Sequence, residues 1–404
     1  MAGGAGQIKK SNSYPNKIAE FLTMASKRNI GLDYLRSLAI IIVLLNHCLI
    51  GFFFGTKIIK FDGFIASISA SSIIAIEWLF VLSGFLIGAM MIRSFDNDKS
   101  WLQCAKDFWL RRWFRTIPNY YLFVLINVVL VSYGISDGKF DYKHLIFSQN
   151  LAWPEQTPHF FGEAWSLALD EWFYLLMPVM IGILFFLPIS RKTAFTSAAY
   201  TLIILPIFGR LIHTAPTDFF QWDSEIRRVT LYHLDATGWG VLAAAVNKWH
   251  GNWWRENIKQ KALIGFFLTL SGLFFVVGLL HPTWMNAVVY KMGNSLSITL
   301  IAGGTFLLVP WLTSLESSWK PTDWIVAKLS TLSYSIYLSH LPLIFILKHL
   351  TGINNTTPGI YVFLIIIAWL ILIFAISNAI FNWFEKPIAD LRELFTKRVD
   401  ASPF

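Results

Sequence analysis

Apolar runs of about twenty residues recur along this chain, and they leave it few folds to choose from. A helix needs about 20 apolar residues to cross a bilayer core of about 30 Å. Ten candidate spans fall at roughly 31–54, 72–92, 116–134, 166–188, 195–213, 229–247, 262–280, 294–312, 331–350 and 359–382. The fifth and sixth carry charge at an end and are the weakest of the ten. The runs are continuous rather than alternating, which argues against a membrane β-barrel. Only 14% of residues are charged and the mean hydropathy is +0.54, against about 25% charged in soluble domains. The expectation is an all-α integral membrane protein, a polytopic bundle of about ten transmembrane helices.

Loop charge gives that bundle a direction. With the N-terminus inside, most Lys and Arg fall on one side, among them Lys27, Arg28, Arg93, Arg111, Arg112 and Arg115. Cytoplasmic loops carry this excess, so both termini are expected in the cytoplasm. The net charge of +9 has the same origin and does not call for nucleic acid. Residues 1–29 read as a cytoplasmic tail, 30–388 as the membrane domain and 389–404 as a second cytoplasmic tail. The longest outer loop, about 135–165, carries aromatics, prolines and His159. Two cysteines make no disulfide framework, and Cys48 reads as a small apolar filler. No His or Cys spacing of a metal site appears.

The first span, "GLDYLRSLAIIIVLLNHC", holds Arg36 and His47. Eleven residues at 100° each make three turns plus about 20°, so both lie on one face, roughly 16 Å apart along the axis. Ionisable residues inside a span are costly and point to function. Arg36 also fits an anchor that snorkels to the interface, and His47 a neutral packing residue. In the second span, "IEWLFVLSGFLIGAMM", Glu77 is a carboxylate among aliphatics, suited to orienting an imidazole. Ser83 and Gly84 there also suit close helix packing. Arg112 and Arg115 are three apart on one face at the inner end of the third span, where guanidiniums suit phosphate or lipid anchoring. Asp170 and Glu171 open the fourth span about 100° apart and need not share a partner. Asp235, His340 and Glu385 are single ionisable residues in later spans.

Taken together, these motifs resemble the membrane-bound acyltransferase family three, the bacterial O-acyltransferases of surface polysaccharides. The resemblance covers about 30–390. Arg36 and His47 match its Arg–ten residues–His pattern, "EWLFVLSGFLIG" its second-span segment, and Arg112 and Arg115 its Arg-x-x-Arg segment. "WSLALDEWFYLLMP", "LSYSIYLSHLP" and "NWFEKP" are similar to its later segments, with Asp170 and Trp172 in place of Glu and Gln. "YHLDATGWG" lacks the Arg often found two before the Asp, which leaves the role of His233 open. The chain looks like the stand-alone type, without an appended hydrolase-like domain.

The resemblance implies transfer of an acyl group, commonly acetyl, from cytoplasmic acetyl-CoA to a sugar hydroxyl of a surface or lipid-linked glycan such as lipopolysaccharide O-antigen, in a bacterial inner membrane. On that reading His47 is general base or acyl carrier, Arg36 contacts the donor or a developing oxyanion, and Glu77 orients His47. Arg112, Arg115 and Ser83 would hold the donor, and Trp165, Glu171 and His159 the acceptor. The donor is a co-substrate, and no metal is expected. A proton-coupled secondary transporter of a small solute is the rival, since buried Arg, His and Glu also suit proton movement. The missing inverted repeat of Gly/Pro-broken helices weighs against it.

Overall fold

The computed structural model describes residues 29–53, 56, 58, 63–95, 100–213, 216–317 and 319–396. Residues 1–28 of the first tail and 397–404 of the second therefore lie outside the described residues. Within them the chain is helical, with no strand. The long helices are α1 (Ile30–Cys48), α2 (Gly63–Ser71), α3 (Ile73–Phe95), α4 (Trp101–Ser132), α5 (Ala164–Phe185) and α6 (Arg191–Ile212). They continue as α7 (Asp235–Trp249), α8 (Ile258–Leu280), α9 (Ala287–Thr313), α10 (Lys320–Thr351), α11 (Gly359–Ile380) and α12 (Lys386–Thr396). The helix starts follow local capping chemistry. Asn29 accepts the Leu32 N–H at α1, and Ser100 forms a reciprocal box with Gln103 at α4.

Among the described residues nine helical stretches are long and apolar enough to span a membrane. The chain is an integral membrane protein. The sixth expected span, 229–247, is the exception. Its helix, α7, has 15 residues, about 22 Å at 1.5 Å per residue. The residues before it fold instead into a π-helical turn, Asp223–Arg227, and a 3₁₀ turn, Thr230–Tyr232. The reason is polar: this segment carries Asp223, Arg227, Arg228 and His233, which face partners inside the protein rather than lipid.

Small residues let α7 pack against α3. A Cβ on Gly84 would sit 2.1 Å from the Thr237 carbonyl oxygen, and one on Gly240 2.1 Å from that of Val81. That close approach brings Glu77 of α3 to the turn preceding α7. The outer loop is tied down, not loose. Trp172 Nε1–H donates to the Phe147 carbonyl (2.9 Å), and Asn150 donates to the carbonyls of Trp165 (3.1 Å) and Arg228 (2.6 Å). The Thr230 N–H donates back to the Asn150 carbonyl (2.8 Å), so the loop and the turn before α7 form one layer.

Candidate active site

α1 and α10 bring two imidazoles together. His340 is fully buried, and its Nδ1 lies 2.5 Å from the Tyr337 carbonyl oxygen. A carbonyl only accepts, so Nδ1 carries the proton. In the neutral ring Nε2 is then an acceptor, and it lies 2.9 Å from His47 Nδ1. His47 Nδ1–H therefore donates to His340, which leaves the His47 Nε2 lone pair unspent. His47 lines a cavity of about 260 Å³, the setting a general base or nucleophile needs.

Glu77 is not the group that orients His47; His340 is. Glu77 Oε1 lies 2.8 Å from His233 Nε2, and both residues are fully buried. His233 Nδ1–H donates to the Arg227 carbonyl (2.5 Å). The Glu77–His233 pair thus anchors the backbone of the arginine turn to α3. His340 was visible in "LSYSIYLSHLP", but nothing in one sequence ties it to His47, 293 residues away.

The turn before α7 forms the charged wall of the same cavity. Arg227 Nε and Arg228 Nε donate to the two oxygens of Asp223, at 2.5 and 2.7 Å. Burial alone would push the Asp223 carboxyl up, but the two guanidiniums and their hydrogen bonds hold it well below the usual carboxylate range. Arg228 is raised in return: Asp223, then Glu155, outweigh its burial. Trp165, expected among the acceptor-binding residues, lines this cavity, but its ring is already engaged. The Arg227 guanidinium lies 4.5 Å over it, and His233 stacks on it at 6.0 Å.

The other two expected acceptor residues are elsewhere. Glu171 accepts from Thr116 Oγ1 (2.6 Å) and does not line the cavity. His159 lies 3.5 Å from Glu155 in the outer loop, also outside the cavity lining. Burial and Arg228 push its imidazole below the ordinary value, against the pull of Glu155 and Asp223.

A second cavity, of about 930 Å³, opens beside the other end of α1. Arg36 lines it, together with Arg93, Arg115, Arg255, Lys386 and Arg392, while Asp33 and Glu385 are its carboxylates. Arg36 donates to Ser330 Oγ (3.4 Å), which donates to Asp33 (2.5 Å). Arg36 is thus not beside His47, and it does not supply an oxyanion partner there. Arg112 does not line this cavity. Its guanidinium lies 5.0 Å over the Tyr174 ring. Ser83 also stays in the interior, donating to Asp170 (3.0 Å) and meeting the Tyr174 hydroxyl (3.2 Å). Asp170 and Glu171 have separate partners, as their 100° offset implied.

A helical membrane bundle with an imidazole pair at one cavity and a cluster of cations at another has the parts of a membrane group-transfer enzyme. The chain matches the acyltransferase-domain family (acyltransferase 3) over residues 29–378 and belongs to it, so it is an acyltransferase. It is 26% identical to the peptidoglycan O-acetyltransferase OatA of Listeria monocytogenes over 382 residues, 88% of this chain and 55% of that protein. It is 23% identical to the putative peptidoglycan O-acetyltransferase YrhL of Bacillus subtilis, over 89% of this chain and 54% of that one. It is also 24% identical to "Regulator of hypoxia-inducible factor 1" of Caenorhabditis elegans, over 96% of this chain and 85% of that protein. The chain thus spans about half the length of the two bacterial relatives. No solved structure matches it.

Proposed function

We propose that this protein moves an acetyl group from acetyl-CoA, bound from the cytoplasm, to a sugar hydroxyl of a surface or lipid-linked glycan. The observation that carries the reading is the His47–His340 pair, in which His47 lines a cavity that also holds an arginine pair. His47 Nε2 takes the proton of the acceptor hydroxyl. The oxygen attacks the thioester carbonyl carbon, the carbon–sulfur bond breaks, and the imidazolium returns its proton to the leaving thiolate. The alternative route, in which Nε2 itself accepts the acetyl group, uses the same lone pair. The arginine-lined cavity at the other end of α1 suits the phosphates of the donor. On this reading both termini lie in the cytoplasm and the membrane is a bacterial inner membrane. The bacterial relatives' names point to peptidoglycan, which joins lipopolysaccharide as a candidate acceptor.

Two variants sort the arginines. Arg36→Ala and Arg115→Ala are each expected to weaken acetyl-CoA binding by tenfold or more, since hydrogen bonds to charged groups contribute about 1.5–3 kcal/mol. Arg112→Ala should leave donor affinity unchanged. Calorimetric titration with acetyl-CoA checks this, and equal affinity in all three would remove the donor role from that cavity. His340→Ala should lower kcat by about 10²-fold or more, because it frees the His47 tautomer. His340→Asn, which keeps an acceptor, should recover part of that rate and shift the pH profile. Identical pH profiles for wild type and His340→Ala would contradict the positioning role. The acceptor is tested by mass analysis of surface glycan from cells with and without the protein. The expected gain is one acetyl group per modified sugar; unchanged glycan overturns the acceptor assignment.

A further inference from the structure

One side chain in the His47 cavity takes no part in the proton transfer. Glu163 sits at the start of α5, is 2% exposed and lines the cavity with His47. It makes no capping bond to its own helix through the side chain. Its Oε1 is buried and meets no hydrogen-bond partner among the described residues. A buried polar atom left unpaired is expensive, and a ligand that completes it accounts for its presence.

The surroundings fix its chemistry. Burial pushes the Glu163 carboxyl well above its ordinary range; its own backbone N–H opposes this and nearby Glu155 adds to it. Of the other charged or titratable groups at this cavity, His47 comes from α1, Asp223, Arg227 and Arg228 from the turn before α7, and Tyr337 from α10. Asp223 is held by both arginines, and the Tyr337 hydroxyl is 2.7 Å from Ser166 Oγ. None of these forms an ion pair with Glu163 among the described residues, and in its protonated form the carboxyl has one O–H to donate and a second oxygen to accept.

We infer that Glu163 is an acceptor-binding residue, hydrogen-bonded to a second hydroxyl of the same sugar ring whose first hydroxyl meets His47. The acceptor class is then a sugar with at least two free ring hydroxyls. This rests on the transfer reaction proposed above. It assigns a role to a carboxyl that the proton transfer leaves unused.

The test uses the full-length protein in detergent, acetyl-CoA, and glycan chains released from the envelope of the producing cells. Glu163→Leu is expected to raise the acceptor KM about tenfold, the worth of a hydrogen bond to a site built for it, with the donor KM unchanged. Glu163→Gln, which keeps a neutral donor and acceptor, should restore most of it. Wild-type acceptor KM should rise as pH climbs through the raised carboxyl pKa, and Glu163→Gln should show no such rise. If Glu163→Leu does not fold, the comparison of these two pH profiles decides. An unchanged acceptor KM in Glu163→Leu, or the same pH profile in wild type and Glu163→Gln, overturns the inference. No transfer by the wild type under any condition overturns the reaction itself, and the inference with it.

Discussion

Replacing His47 by alanine is expected to lower acyl transfer by about 10²–10⁴-fold, the usual contribution of a positioned general base, while the protein still inserts and folds. His47 hydrogen-bonds to His340 and lines a cavity, so among the described residues its removal leaves the His340 Nε2 without its donor. The measurement is kcat/KM for purified protein in lipid, with the thermal midpoint as control. Turnover equal to wild type would remove the assignment. A labelling experiment separates the two routes: wild type exposed to labelled acetyl-CoA alone retains label on His47 if the imidazole carries the acetyl group, and none if it acts as base.

The largest expected loss of stability lies at a buried ion pair. Arg210 of α6 donates to both oxygens of Asp235, at 3.1 and 2.7 Å, and Nε donates to the Ser295 carbonyl (2.8 Å). Arg210 is 1% exposed and Asp235 fully buried. The guanidinium also bonds the Tyr232 carbonyl, so one side chain ties α6, α7 and α9 together. Arg210→Ala leaves a carboxylate buried without its partner, which costs about 3–5 kcal/mol. Adding Asp235→Asn should recover much of this, because the stranded charge is gone. Thermal midpoints in detergent check both, and a double variant no more stable than Arg210→Ala would contradict the ion-pair account.

Much of the architecture was legible because bilayer length and helical period are properties of short windows. Arg36 and His47 needed only the 100° repeat to be placed on one face of α1, and the structure sets them at two cavities along that helix. What stayed hidden depends on pairs far apart in sequence. Glu77 finds His233 across 156 residues, and His47 finds His340 across 293. No spacing rule links such positions. Arg112 and Arg115 share a helix face, yet a neighbouring tyrosine ring takes one while the cavity takes the other. The sixth expected span failed for a different reason: the first residues of 229–247 fold as a 3₁₀ turn continuing the charged turn before them, which leaves a helix of 15 residues. Glu163 gave no sequence signal, since a carboxyl before a helix reads as an ordinary helix start.

The central claim is that this chain transfers an acetyl group and does not carry a solute across the membrane. Purified protein in liposomes, given acetyl-CoA labelled in the acetyl group and envelope glycan as acceptor, tests it most directly. The predicted result is alkali-labile label on the glycan with one free thiol released per acetyl transferred, both lost in His47→Ala. Label that stays on the donor while the glycan remains unmodified, or transfer that is equal in His47→Ala, would contradict it.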